Sequence, residues 1–181
     1  VVVIDPNNPT GATYPVEARR ALLAFAEKHG LAILADEVYG DLGYEGPVPP
    51  LGLLDPDAPI ISFSSLSKAY LAPGWRTGWL SIGRSPRLDD VATAIRKLAD
   101  GRLCSTVPMQ HAVTADKSHQ AKFRADLKLR ATLTADALRA MPGVTCMTPT
   151  AGFYAMPRIP LPPGRTDEQY VLGLLRATGV L

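Results

Sequence analysis

Residues 1–36 read VVVIDPNNPTGATYPVEARRALLAFAEKHGLAILAD, and this stretch decides the fold. Val1-Val2-Val3-Ile4 are consecutive β-formers, the pattern of a strand buried on both faces of a parallel sheet. Asp5 to Gly11 follows as a loop, because Pro6, Pro9 and Gly11 oppose regular structure. Pro15 suits a first helical turn, and Ala18, Ala21, Leu22 and Phe25 recur at helical spacing, which predicts a helix with this stripe as its apolar face. Lys28 and His29 fall in the last turn, where the helix dipole favours cations, and Gly30 supplies the stop. Leu31 to Ala35 reads as the next strand, ending at Asp36-Glu37. Strand, loop, helix and strand in so short a span make a βαβ unit. It predicts a parallel sheet with a right-handed crossover.

Working outward, Pro59 to Phe63 reads as a third strand and Gly78 to Ile82 as a fourth. In an open parallel sheet ligands collect beyond the carboxyl ends of the strands, where Asn8, Asp36 and the Ser64–Lys68 run all lie. After Gly83 the character changes. Pro86 to Leu98, Val107 to Ala115 and a long basic run from Ser118 to Met141 have helical patterns, and Pro142-Gly143 ends the last of them. Val144 to Met147 and Phe153 to Met156 predict short strands, Pro157 to Gly164 an exposed proline-rich connection, and Asp167 to Ala177 a helix. The fold class expected is α/β, a mostly parallel sheet flanked by helices, followed by the start of a small α+β domain. The division falls between residues 1–117 and 118–181.

Composition narrows the function. The 181 residues hold 19 Lys+Arg and 17 Asp+Glu, a net charge of +2, with 46% hydrophobic residues. That balance gives no reason to expect a nucleic-acid partner, so Lys117, Lys122, Arg124, Lys128 and Arg130 read as a solvated helix face. No apolar run approaches the roughly 18 residues of a membrane span. Cys104 and Cys146 make neither a disulfide framework nor a metal cluster, which points to the reducing cytoplasm, and Cys104 reads as a small packing residue. His29, His111 and His119 lack metal-ligand spacing. The chain opens inside a strand pattern without an initiator Met and closes on Thr178-Gly179-Val180-Leu181, where a helix gives way to a strand. An internal stretch of a longer protein is therefore expected.

Four features carry chemistry: Asn8 in NNPTG, Asp36 and Tyr39 in DEVY, Lys68 in SSLSK, and Arg76 in GWRTGW. Each has a plain structural reading, as a turn, a helix cap, a surface amine or a guanidinium stacked on Trp75 or Trp79. Glu37 beside Asp36 does not make a dyad, since adjacent strand residues face opposite sides. Order and spacing together favour the chemical reading. With Ser65 three residues before Lys68 and Arg76 eight after it, the set resembles the aminotransferase class I/II family, and the resemblance runs over essentially the whole chain.

That resemblance implies the type I fold of enzymes dependent on pyridoxal 5′-phosphate (PLP). It implies that Lys68 is the Schiff-base lysine, which also moves the substrate proton, and that Asp36 is the partner of the pyridine nitrogen. Asn8 and Tyr39 then hydrogen-bond the ring's 3′-oxygen, while Ser65 and Arg76 hold the phosphate, with Ser67 a further possibility there. Gly152-Phe153-Tyr154 fits a small-domain strand of the family, and Arg158 falls too early for the arginine that binds the substrate carboxylate. Leu103 to Val113 and the ADEVYGDLGYEG stretch resemble the alanine-aminotransferase-like branch. The implied reaction moves an amino group from an α-amino acid to a 2-oxo acid, in a homodimer of the full-length protein. The cofactor residues leave two alternatives open: a PLP-dependent carbon–sulfur lyase, and the effector domain of a transcription regulator.

Overall fold

A computed structural model describes residues 1–101, 106–114 and 116–180. Cys104, the start of the Leu103–Val113 segment, Ala115 and Leu181 lie outside the described residues. The chain runs β1 (Val2–Ile4), α1 (Val16–Lys28), β2 (Ile33–Asp36), β3 (Ile60–Ser65), α2 (Leu66–Ala69), β4 (Gly78–Ile82), α3 (Asp89–Asp100), α4 (Val107–His111), α5 (His119–Arg139), β5 (Thr145–Cys146), β6 (Pro157–Arg158) and α6 (Asp167–Thr178).

The first sheet has the order β1-β2-β3-β4. β1 pairs parallel to β2 and β2 parallel to β3, as the βαβ pattern predicts. β4 instead runs antiparallel to β3, with Ser65 opposite Gly78. Its direction follows from the short link, since α2 and a tight turn reverse the chain without the long crossover that a parallel strand needs. The reversal matters for the site. It brings the amino end of β4, and Arg76 just before it, to the carboxyl edge of β1 to β3.

One face of the sheet is covered by α1 and by the turn at Leu51, whose Leu23, Ala26 and Leu51 bury against Ile33, Ala35 and Ile60. The helix is rotated from the expected stripe: Arg19, Leu23 and Ala26 point inward, and Phe25 is exposed. Ala18, Leu22 and Phe25 instead line an open pocket of about 420 Å³ against Val1 to Val3. On the inward face Arg19 meets Asp5.

α5 lies across the turn that follows β2. Leu127 buries with Tyr39, Leu42 and Ala69, and Phe123 packs on the same cluster. Of the basic residues read as a solvated face, Lys117, Lys122, Lys128 and Arg130 are exposed and Arg124 is half-buried. Lys117 pairs with Asp41 and Lys128 with Glu45, while Arg124 donates to the Asp41 carbonyl. The helix begins against α2, where a His119 ring nitrogen lies 3.1 Å from the Ala69 carbonyl oxygen.

The second sheet departs from the expected pairing. β5 pairs antiparallel with β6 at Pro157–Arg158, and Phe153 to Met156 forms no strand. Gly152, at φ 70°, turns the backbone there, and its amide donates to the Leu42 carbonyl. Phe153 and Tyr154 are thereby taken out of any ladder and set against Tyr39. α6 opens with a reciprocal capping box between Thr166 and Gln169 and ends at Gly179 in the left-handed region.

Candidate active site

The site forms at the carboxyl edge of the first sheet. Asp36 is the last residue of β2, and its Oδ1 accepts the Val38 amide at 3.1 Å, closing the turn that presents Tyr39. Asp36 therefore does cap its own turn, as the plain reading of a strand-end Asp had it. Asn8 approaches from the loop after β1 and donates from Nδ2 to the Tyr39 hydroxyl at 3.3 Å. The loop is fixed behind it by Gly11, whose carbonyl accepts the Thr150 amide at 2.8 Å and the Ala151 amide at 3.0 Å. A side chain at Gly11, at φ 68°, would overlap Pro149.

Lys68 sits on α2, a single turn that follows β3 directly. Leu66 and Ala69 anchor the turn in the interior, and Lys68 between them faces the site. Lys68 Nζ lies 5.9 Å from the centroid of the Tyr39 ring and 5.9 Å from that of Phe153. Tyr39 makes edge-on contacts with Phe153 and Tyr154, at ring separations of 5.4 and 6.1 Å. Lysine, phenol, carboxamide and carboxylate thus converge, walled by two aromatic rings from far along the chain.

Ser65 and Arg76 reach the same edge with local partners. Ser65 Oγ caps α2 by accepting the Ser67 amide at 3.3 Å. Arg76 Nη1 donates to the Pro73 carbonyl at 2.8 Å, and the residue holds φ 53°, ψ 40°. A non-glycine residue in that region is strained, and the turn keeps it there between Trp75 and Thr77. The Thr77 carbonyl accepts the Leu66 amide, which pins the Arg76 turn to the base of α2.

Burial dominates the electrostatics. It pushes the Tyr39 phenol up to about 12, helped by the Tyr154 hydroxyl and the Asp36 carboxylate and opposed by the Asn8 amide. Tyr39 therefore keeps its proton at neutral pH. On the other face of the sheet Glu37 accepts the Leu51 amide, and burial raises its carboxyl above the ordinary range. Asp36 and Glu37 do face opposite sides. The sequence reading passed over Asp5 and Arg19, a buried ion pair at 3.2 Å behind the Asn8 loop. The available signal was an arginine four residues before Leu23, on the same helix face as Leu23 and Ala26.

An α/β sheet here gathers an amine, a carboxylate and a phenol–carboxamide pair beyond its strand ends, the edge at which sheets of this class bind ligands. The chain belongs to the aminotransferase class I and II family, whose family model matches residues 1–180. It is 38% identical over 195 aligned residues to alanine aminotransferase of Mycobacterium bovis, across 100% of this chain and 44% of that protein. It is 35% identical to glutamate-pyruvate aminotransferase of Haemophilus influenzae, across 100% of this chain and 47% of that one. Among solved structures, alanine aminotransferase from Pyrococcus furiosus superposes with a TM-score of 0.90 at 34% identity, covering 97% of this chain and 46% of its own. The chain thus spans about half the length of the curated relatives it matches.

Proposed function

We propose that the whole protein is a PLP-dependent aminotransferase that moves an amino group from an α-amino acid to a 2-oxo acid. Alanine with pyruvate and glutamate with 2-oxoglutarate are the pairs we assign. The convergence of Lys68, Tyr39, Asn8 and Asp36 at one sheet edge carries this reading, and similarity to alanine and glutamate-pyruvate aminotransferases supports the choice of pairs. Residues 1–117 are then part of the cofactor-binding large domain, and residues 118–181 supply the connecting helix and the start of the small one. The separation of the four-stranded sheet from the β5–β6 pair supports that division. A cytoplasmic homodimer is the working state that the family resemblance implies.

The donor set fits PLP group by group. Asp36 offers a carboxylate to a protonated ring nitrogen, Lys68 an amine to an aldehyde, and Ser65 and Arg76 a hydroxyl and a guanidinium to a phosphate. When bound, PLP supplies the electron sink that makes the substrate Cα–H acidic. Lys68 holds and returns the proton lost from that carbon. Asn8 donates to the Tyr39 oxygen, so the phenolic hydrogen, which meets the Tyr154 hydroxyl here, would be the one to serve the ring's 3′-oxygen. Because Tyr39 stays protonated at neutral pH, it has a hydrogen to offer there. Phe153 sets an aromatic ring beside the lysine, and Tyr154 sets one against Tyr39.

Borohydride reduction of the full-length protein loaded with PLP tests the assignment. The label is expected on Lys68 after peptide mapping, and a label on another lysine such as Lys97 would overturn it. Lys68→Ala is expected to retain PLP non-covalently while losing transamination by several orders of magnitude.

A further inference from the structure

On the face of the sheet opposite Asp36, a closed ring of polar contacts joins the two strand ends that carry the site. Asp5 follows β1 directly, and its amide donates to the Asp36 carbonyl at 3.0 Å. Its carboxylate accepts the Tyr14 amide at 3.1 Å and lies 3.2 Å from Arg19 Nε, with the Asp5 and Arg19 side chains 5% and 6% exposed. Arg19 Nη2 donates to the Pro49 carbonyl at 2.5 Å. Two residues further on, the Leu51 amide donates to Glu37 Oε1 at 2.5 Å, and Glu37 also meets the Ser62 hydroxyl. The ring therefore runs from β1 through α1 and the 49–51 segment to the end of β2. Asn8 follows Asp5 by three residues, and Asp36 immediately precedes Glu37.

Stability alone accounts poorly for this ring. Asp5 Oδ2 and Arg19 Nε face each other without an aligned hydrogen bond, although both atoms are buried. A buried ion pair so incompletely bonded recovers little of its desolvation cost, and a well-packed apolar pair often does as well or better. An apolar pair has no direction, however. It cannot fix how far the loop after β1 stands from the end of β2, which a guanidinium bridging two elements can do.

We propose that Arg19 and Asp5, with Glu37 closing the ring, are positioning residues for the cofactor site, setting the Asn8 loop against the strand end that bears Asp36. This rests on the reading of that edge as a PLP site. The Asp5→Asn/Arg19→Met double variant of the full-length, PLP-loaded protein tests it, because both buried charges are removed together. The expected result is a melting temperature close to that of the parent, a PLP dissociation constant raised about tenfold, and kcat lowered more than KM is raised. The pH midpoint of the visible absorption band should also shift by roughly half a unit, which a merely structural change would not produce. Should the double variant fail to fold, Arg19→Lys is read by the same measurements; it keeps the charge facing Asp5 but loses the forked donor that also reaches Pro49. A folded variant with the parent's dissociation constant and midpoint overturns the positioning role alone. A parent that takes up no PLP overturns the reading of the site, and the positioning role with it.

Discussion

Asp5 and Glu37 are carboxyls whose environment favours the proton. Burial raises both above their ordinary values of 3.8 and 4.5, and the opposing Arg19 charge and backbone donors do not cancel it. In the pH window just above those ordinary values the folded chain holds more protons than the unfolded one. Stability from these groups is therefore full below the unfolded values and is lost as pH rises through the raised folded ones. Most carboxylates in ion pairs behave in the opposite sense. Asp5→Asn should flatten this part of the dependence, measured as melting temperature against pH between about 4 and 7. Parallel curves for variant and parent would contradict it. Tyr39 follows the same sign at alkaline pH: its contribution holds below 10.0 and is lost as pH rises towards about 12.

The elements are joined at the site by single residues with unusual backbone. Gly11 lies where the Asn8 loop docks on the 149–151 segment, and its positive φ costs glycine nothing. Gly11→Ala places a Cβ against Pro149 as well as in a disfavoured region. The conformational part alone costs about 1–2 kcal/mol. Loss of at least that much stability in denaturant titration, with weaker PLP binding as the loop shifts, is the expected outcome. An alanine variant with unchanged midpoint and affinity would show that the loop relaxes freely. The helices divide in another way. α1 and α5 bury residues against the sheet and the Tyr39 cluster, whereas α3 and α6 bury none. Of these four, the first pair packs against the elements that carry the site.

At the scale of the whole molecule the first sheet packs its main core on one face, while on the second face Ile61 is buried and its neighbours are not. Register places Val2, Leu34, Phe63 and Leu80 on this second face, where they are 67%, 39%, 37% and 41% exposed. The outer edges of β1 and β4 have no strand partner among the described residues. Parallel sheets are stable when both faces are covered, and open edges recruit further strands. The 181-residue chain on its own is thus expected to self-associate with rising concentration, as read by light scattering. A Val2→Lys/Leu80→Lys variant, which charges the exposed face and both edge strands, should reduce the association. A monodisperse monomer at every concentration would contradict this account of the uncovered face.

The amino-acid sequence by itself determined what depends on near neighbours. The βαβ unit, the helix stops at Gly30 and Gly179, and the spacing of Ser65, Lys68 and Arg76 from the end of β3 through α2 to the turn before β4 are all legible in it, because propensity, capping and turn chemistry act within a few residues. Family membership followed from the same local motifs. Only the tertiary structure decided the inward rotation of α1 about Arg19, the antiparallel direction of β4 that delivers Arg76, and the turn at Gly152 that sets Phe153 and Tyr154 against Tyr39. Each of these depends on a partner distant in sequence: Asp5 for Arg19, β3 for β4, and the Leu42 carbonyl for Gly152. A helix's periodicity is compatible with several rotations, and a strand's pattern with either direction. Burial and hydrogen bonding against those distant partners select one arrangement, and that selection assembles the site.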